Sequence, residues 1–262
     1  MMTIQTQLNN NGILRITLNR PDKLNALNQE VFECLSEQFH LAKHDAQTRA
    51  ILIIGEGKAF CAGADINRLK ETNAQTGYDF AVQGQHVFRQ LETLGKPSLA
   101  AINGFALGGG CELAMSASLR IASASAQFAQ PEVKLGVIPG YGGTQRLARL
   151  VGKGRALDLC LTGRTISAET ALQWGLITEI IEPSERHELL LTRAEAILNA
   201  ILTVGPLAVQ SILTVIDKGY DMSLDDALHL EAVHFGLVCA TKDKQEGVSA
   251  FLEKRNANFE GC

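Results

Sequence analysis

Apolar and polar residues alternate with period two over the first eighteen positions: Ile4, Thr6 and Leu8 stand against Gln5 and Gln7, and Leu14, Ile16 and Leu18 against Arg15 and Thr17. That pattern predicts two half-buried strands, joined at Asn11-Gly12 as a hairpin and closed by Pro21. From about Asn28 to His44 the spacing lengthens, with Val31, Leu35, Phe39 and Ala42 on one helical stripe. Two unbroken apolar runs follow, 50–54 (AILII) and 98–102 (SLAAI), each bounded by Gly or Pro as buried strands often are. Each leads into small residues and then a helix-like segment, while a third run, 119–122 (LRIA), leads through Phe128 to Gln130-Pro131-Glu132. Counted from Ile51 and Leu99, the first two lie 48 positions apart, which fits a loose strand–loop–helix repeat.

Beyond residue 150 the glycine-rich loops thin out and helix signals dominate. Ser167 reads as the cap of a helix carrying Glu169, Leu172 and Trp174, with Gly175 placed for a left-handed stop. Pro183 precedes an apolar-periodic run through Leu198, which Val204-Gly205-Pro206 breaks. Ser223 with Asp225 and Asp226 opens another helix, bearing Leu224, Leu228, Phe235 and Val238. The expected organisation is a core over residues 1–202 and an all-helical region over 203–262. That last region is too short to bury an independent core, so it must pack on something else, a neighbouring subunit being the natural candidate.

The most membrane-like stretch, Leu99 to Ala117, holds Asn103, Glu112 and four glycines. A carboxylate at mid-bilayer would cost about 2.5–3.5 kcal/mol, so the stretch reads as protein interior. At 262 residues, 46% hydrophobic and 20% charged, the chain has a globular composition and is long enough for a sizeable core. Its 24 Lys+Arg against 28 Asp+Glu give a net charge of −4, and no basic stripe is present to displace the counterions of a nucleic acid. The six cysteines, at 34, 61, 111, 160, 239 and 262, include no CxxC pair, which fits reduced thiols in the cytoplasm. The opening MMTIQTQ has no leader-like pattern, in keeping with that expectation.

Three segments stand out for chemistry. The run 59–66 (AFCAGADI) is small-residued, so a ligand can approach its backbone, and ends near an Asp suited to a first helical turn. In 103–113 (NGFALGGGCEL) three glycines precede a helix whose free N–H groups suit a developing oxyanion. Gln130-Pro131-Glu132, ahead of 136–144 (GVIPGYGGT), offers a second carboxylate in a loop shaped by Pro and Gly. Each has a plainer reading: glycine turns commonly just cap helices, and an acid beside Pro is commonly solvated. Glu112 resists it, because an unpartnered carboxylate in so apolar a stretch is costly. GxGxxG, GxxxxGK[ST], HExxH and GxSxG are all absent. His40 and His44 share a helix face with no third ligand in view, so no metal site is expected; these two, with His86, His187 and His229, are expected at the surface.

In these segments the chain resembles the crotonase, or enoyl-CoA hydratase, family. The resemblance rests on 18–21 (LNRP) with 25–27 (NAL), 61–66 (CAGADI), 103–115 (NGFALGGGCELAM), 130–147 (QPEVKLGVIPGYGGTQRL), 161–168 (LTGRTISA) and 251–259 (FLEKRNANF), in order and spacing. It implies an α/β fold, a spiral of ββα repeats with a C-terminal helical region used in trimer packing, often doubled to a hexamer. It also implies an acyl-CoA ligand whose thioester carbonyl is held by the N–H groups of Ala64 and Gly109, with no cofactor beyond the CoA of the substrate.

By resemblance, Glu112 would orient and deprotonate the water that attacks Cβ, and Glu132 would deliver a proton to Cα. Retention of both favours hydration over double-bond isomerisation by the same fold, and over a non-catalytic, RNA-binding or assembly relative. The same comparison places Asn25, Ala26, Ala62, Gly63, Asp65 and Ile66 about the substrate, Gly140 at the water site, and Phe251 and Lys254 near the CoA of a neighbouring subunit. One departure is visible: Ser118 stands where many members have Asp, and six helical residues past Glu112 it should point away from that side chain.

Overall fold

The structure, a computed structural model, describes residues 2–262, the side chains of Asn67 and Arg68 excepted. The antiparallel pair β1 (Ile4–Leu8) and β2 (Ile13–Leu18) leads to α1 (Gln29–His44). Three repeats follow: β3 (Ala50–Gly55) and β4 (Ala59–Cys61) with α2 (Ile66–Lys70) and α3 (Ala74–Glu92); β5 (Ser98–Ile102) and β6 (Phe105–Leu107) with α4 (Gly109–Ser116); and β7 (Leu119–Ser123) and β8 (Gln127–Ala129) with α5 (Gly143–Val151) and α6 (Lys153–Thr162). Then come β9 (Ile166–Ser167), α7 (Ala168–Trp174), β10 (Glu179–Ile181) and the helices α8 (Glu188–Leu202), α9 (Pro206–Gly219), α10 (Leu224–Cys239) and α11 (Lys242–Glu253). One sheet runs β1-β2-β3-β5-β7-β10 and a smaller one β4-β6-β8-β9. Each repeat thus gives one strand to each sheet before its helices, which is the expected spiral.

The unbroken apolar runs are explained by this layering. Ile51 and Ile53 of β3 join Phe32, Leu35 and Phe88 on one side of the large sheet. Ala50, Leu52 and Ile54 join Leu99, Ala101 and Ile121 on the other, beneath Leu190, Ala194 and Leu198 of α8. A strand covered on both faces has no polar side to alternate with. At the margin, β1 buries Ile4 and leaves Leu8 exposed, since a sheet's edge strand has little above its far end. The hairpin turns over residues 9–12, where Asn9 Oδ1 accepts from the N–H groups of Asn11 and Ile13, both at 3.0 Å.

Caps fall where the side chains foretold. Asn28 Oδ1 accepts from Val31 N, Ser167 Oγ from Thr170 N and Ser223 Oγ from Asp226 N, while Gly175 ends α7 in the left-handed region. The stretch from Leu99 to Ala117 forms β5, β6 and α4 of the interior. His187 departs from expectation: it is half-buried, its Nε2 lying 3.0 Å from the Gly57 carbonyl and 3.3 Å from Asn103 Nδ2. The reason is long-range, because the turn before α8 folds back over the β3–β4 connection.

Beyond Leu202 the packing changes. Helices α9 and α10 lie on each other without burying a single side chain, and α11 is pinned by the chain's own tail. There the buried Asp243 carboxylate accepts from the N–H groups of Glu260 and Gly261, at 2.7 and 2.8 Å.

Candidate active site

The site is assembled where four distant segments meet at the N-terminus of α4. The first comes out of a tight turn in which Leu24 and Asn25 hold φ of +49° and +58°. Such backbone is strained for residues with a Cβ, and Asn25 supplies the compensation. Its buried amide donates to the carbonyls of Glu56 (3.0 Å) and Ala59 (2.8 Å), and its oxygen accepts from Arg20 N (2.9 Å). Arg20 in turn donates to the Ala26 carbonyl at 2.5 Å and pairs with Asp65 at 3.7 Å.

The second segment is stitched to the first. Ala62 N donates to Leu24 O, Leu27 N to Gly63 O and Asp65 N to Leu27 O, at 2.8–2.9 Å. Leu27 therefore bridges across Ala64, whose own N–H points away from it. The third segment approaches from the other side. A Cβ on Gly63 would lie 3.0 Å from the Leu107 carbonyl and 3.6 Å from Gly109 N, so the two backbones nearly touch. Gly109 is the first residue of α4, and an N–H there has no partner within the helix. Among the described residues, the N–H groups of Ala64 and Gly109 donate to nothing, and the close approach at Gly63 brings their two stretches of backbone together.

The carboxyls converge on the same point. Glu112 lies one turn into α4 and is 1% exposed. Its Oε1 accepts from Tyr141 N at 2.8 Å and Gly143 N at 2.6 Å, where the fourth segment enters α5. Glu132, at the turn after β8, lies against Gly108, where a Cβ would meet its Oε1 at 2.6 Å; only glycine, already at φ +50°, leaves room. Among the described residues, Glu132 Oε2 is buried without a hydrogen-bond partner. Burial, and then the charge of Glu132, pushes the Glu112 carboxyl up to about 8, against the two N–H donors and Arg146. Burial pushes Glu132 up to about 7. Two such groups titrate as a pair that holds one proton near neutral pH. Two backbone N–H donors fix the orientation of the Glu112 carboxyl, whereas Glu132 accepts only from its own N–H.

The structure thus brings together Asn25, Ala26, Ala62, Gly63, Ala64, Asp65, Gly109, Glu112 and Glu132. Gly140 joins them through the next residue's bond to Glu112, its carbonyl held by Gln85 Nε2 at 2.8 Å. Ile66 stands 62% exposed at the rim. Phe251 and Lys254 are not brought to this site, since α11 packs chiefly on α10 and the tail. Ser118 lies outside α4, which ends at Ser116, so no helical turn orients it. Its Oγ pairs with that of Ser98 at 3.1 Å, away from Glu112.

Two contributors have no local signature. Arg146 bridges Glu92 and the Tyr141 carbonyl, at 2.5–2.9 Å, and so braces the loop that holds Glu112. Gln130 is fully buried beside it, its Oε1 2.8 Å from where a Gly143 Cβ would stand. Chemically, paired N–H donors can bind a carbonyl oxygen that gains negative charge, and a carboxyl pair sharing one proton can both take and give protons next to it.

The family model of enoyl-CoA hydratase/isomerase matches residues 8–262. The chain belongs to that family. It is 46% identical over 241 residues to the short-chain-enoyl-CoA hydratase of Clostridium acetobutylicum, covering 92% of this chain and 91% of that one. It is 44% identical over 243 residues to the crotonyl-CoA hydratase of Syntrophomonas wolfei, covering 92% of each. Among solved structures, the enoyl-CoA hydratase from Bacillus anthracis superposes with a TM-score of 0.94 at 37% identity, over 99% of this chain and all of that one. Its enoyl-CoA hydratase/isomerase fold is therefore that of solved family members.

Proposed function

We propose that this chain is an enoyl-CoA hydratase, adding water reversibly across the 2,3 double bond of a trans-2-enoyl-CoA. The observation that carries the reading is the buried Glu112 carboxyl and the half-buried Glu132, close enough that the charge of Glu132 raises Glu112, beside the idle N–H groups of Ala64 and Gly109. Isomerisation moves one proton between carbons, whereas hydration must handle a water and a carbon at once, and so has use for two.

The thioester oxygen binds the two N–H groups, which stabilise it as it becomes enolate-like. Glu112, its charge oriented by the Tyr141 and Gly143 N–H groups, takes a proton from water as the oxygen bonds to Cβ. The π electrons shift towards the thioester, and Glu132 gives its proton to Cα. The pair's proton has then moved from Glu132 to Glu112 and returns through solvent.

The substrate's CoA is the sole coenzyme required, and the setting is cytoplasmic acyl-CoA metabolism such as fatty-acid β-oxidation. The exposed apolar residues of α9 and α10 support a homotrimer or a hexamer of two trimers. There Phe251 and Lys254, which lie apart from their own chain's site, reach the CoA of a neighbour. With purified protein and crotonyl-CoA, absorbance of the conjugated thioester should fall to an equilibrium as 3-hydroxybutyryl-CoA forms. Persistence of that band, or a product lacking the hydroxyl, refutes hydration.

A further inference from the structure

One side chain at the site has no part in the proton transfers. Tyr141 gives its N–H to Glu112, but its ring, 2% exposed, turns inward among three phenylalanines. The ring centroids lie 5.1 Å from Phe32, 5.3 Å from Phe80 and 5.7 Å from Phe88, at the tilted and edge-on angles aromatic rings favour. Two backbones make room for it. A Cβ on Gly84, inside α3, would stand 2.1 Å from a ring carbon, and one on Gly109 would stand 3.0 Å from another. A glycine within a helix is intrinsically unfavourable, so position 84 gives up helix stability to admit the ring. The surrounding loop is locked to the same helix, because Gln85 holds the Gly140 carbonyl.

The ring adjoins the site: it packs against Gly109, while the N–H of the same residue holds Glu112. With the thioester oxygen at Ala64 and Gly109, and Cα and Cβ between the carboxyls, the carbons after Cβ run towards the backbone N–H of Tyr141. Resting on the hydratase reading, we propose that Tyr141 is the wall that ends the acyl pocket and restricts the enzyme to short enoyl chains. Phe32, which packs on the ring, and Val87 also line an outer groove of about 770 Å3 between α1 and α3.

The experiment measures kcat/KM for trans-2-enoyl-CoA thioesters from four to ten carbons, in the wild type, Tyr141→Ala and Tyr141→Phe. An extra methylene that a pocket cannot take costs roughly tenfold or more. The wild type should therefore fall by at least about tenfold between four and eight carbons, Tyr141→Phe should keep that fall, and Tyr141→Ala should shrink it by about tenfold. A second measurement fixes the ring independently of catalysis: Gly84→Ala should lower Tm, and combining it with Tyr141→Ala should remove most of that drop. A flat wild-type profile, a folded Tyr141→Ala with an unchanged ratio, or no compensation in the double variant overturns the wall. A chain leaving instead over the exposed Ile66 and Ile138 gives the unchanged ratio. Failure of the wild type on every thioester removes the hydratase reading itself, and this inference with it.

Discussion

At the N-terminus of α4, polar groups lie buried with nothing to bind, whereas in α9 and α10 apolar groups lie in solvent with nothing to cover them. Among the described residues, Glu132 Oε2 lies buried with no hydrogen-bond partner. Ile216, Leu224, Phe235 and Leu237 are 62–73% exposed. The two are incomplete in opposite ways. An idle buried carboxyl or N–H is specific in direction and suits a small ligand with matching polarity. A run of exposed leucines is non-directional and suits a large apolar surface, as a second copy of the chain presents.

The sharpest test falls on the polar side. Glu112→Gln and Glu132→Gln should each lower crotonyl-CoA turnover by roughly 10²–10⁴-fold, with thioester binding by calorimetry much less affected. Near wild-type turnover in either would leave the pair without its role. Gly109→Pro deletes one N–H at the first helical position and should cost about 10²–10³-fold. Because a Cβ there meets the Tyr141 ring at 3.0 Å, Gly109→Ala, which keeps the N–H, is the control for packing, and its circular dichroism and Tm give the share of the loss due to folding.

On the apolar side, Phe235→Asp changes a residue that is 72% exposed in the single chain, where it should hardly alter stability. If a neighbour covers it, light scattering will show the assembly lost; an unchanged mass shows the face to be free. The pH dependence then separates the regions. Both carboxyls have folded-state values above their ordinary 4.5, so the folded state binds protons more tightly than the unfolded one. Their contribution to stability is complete below about 4.5 and is lost as pH rises through about 7 and about 8, a decline that Glu112→Gln should flatten. The kcat/KM should be bell-shaped with its maximum between those two values. The smallest effect is expected at Lys254, where Lys254→Ala should raise KM a few-fold at low salt and leave kcat alone.

Period-two alternation, unbroken apolar runs and helical spacing located β2, β3, β5 and α1 nearly to the residue, because burial writes itself into local sequence. The glycine turn and the two carboxyls, too, stood out in local motifs, while their roles came only from the family resemblance. What local pattern could not convey was partnership. That Asn25 serves as a bolt between three backbones, that Arg146 braces the Glu112 loop through Glu92, or that Gly84 exists for the ring of Tyr141 depends on residues 31 to 57 positions away. His187 was misplaced for the same reason, since its partner Gly57 lies 130 positions back.

The spiral also sets a clock. Every pairing from β2 to β10 in the large sheet is parallel, so none can form by a simple hairpin and each must wait for a crossover to close. Topologies dominated by such distant pairings fold slowly. The pocket needs residues near 25, 63, 109 and 141, so it exists only after the first strands and the start of α5 have found each other. A chain released from the ribosome will therefore have much of its helix and sheet before it has any catalytic power, and restored turnover marks the end of folding rather than its beginning.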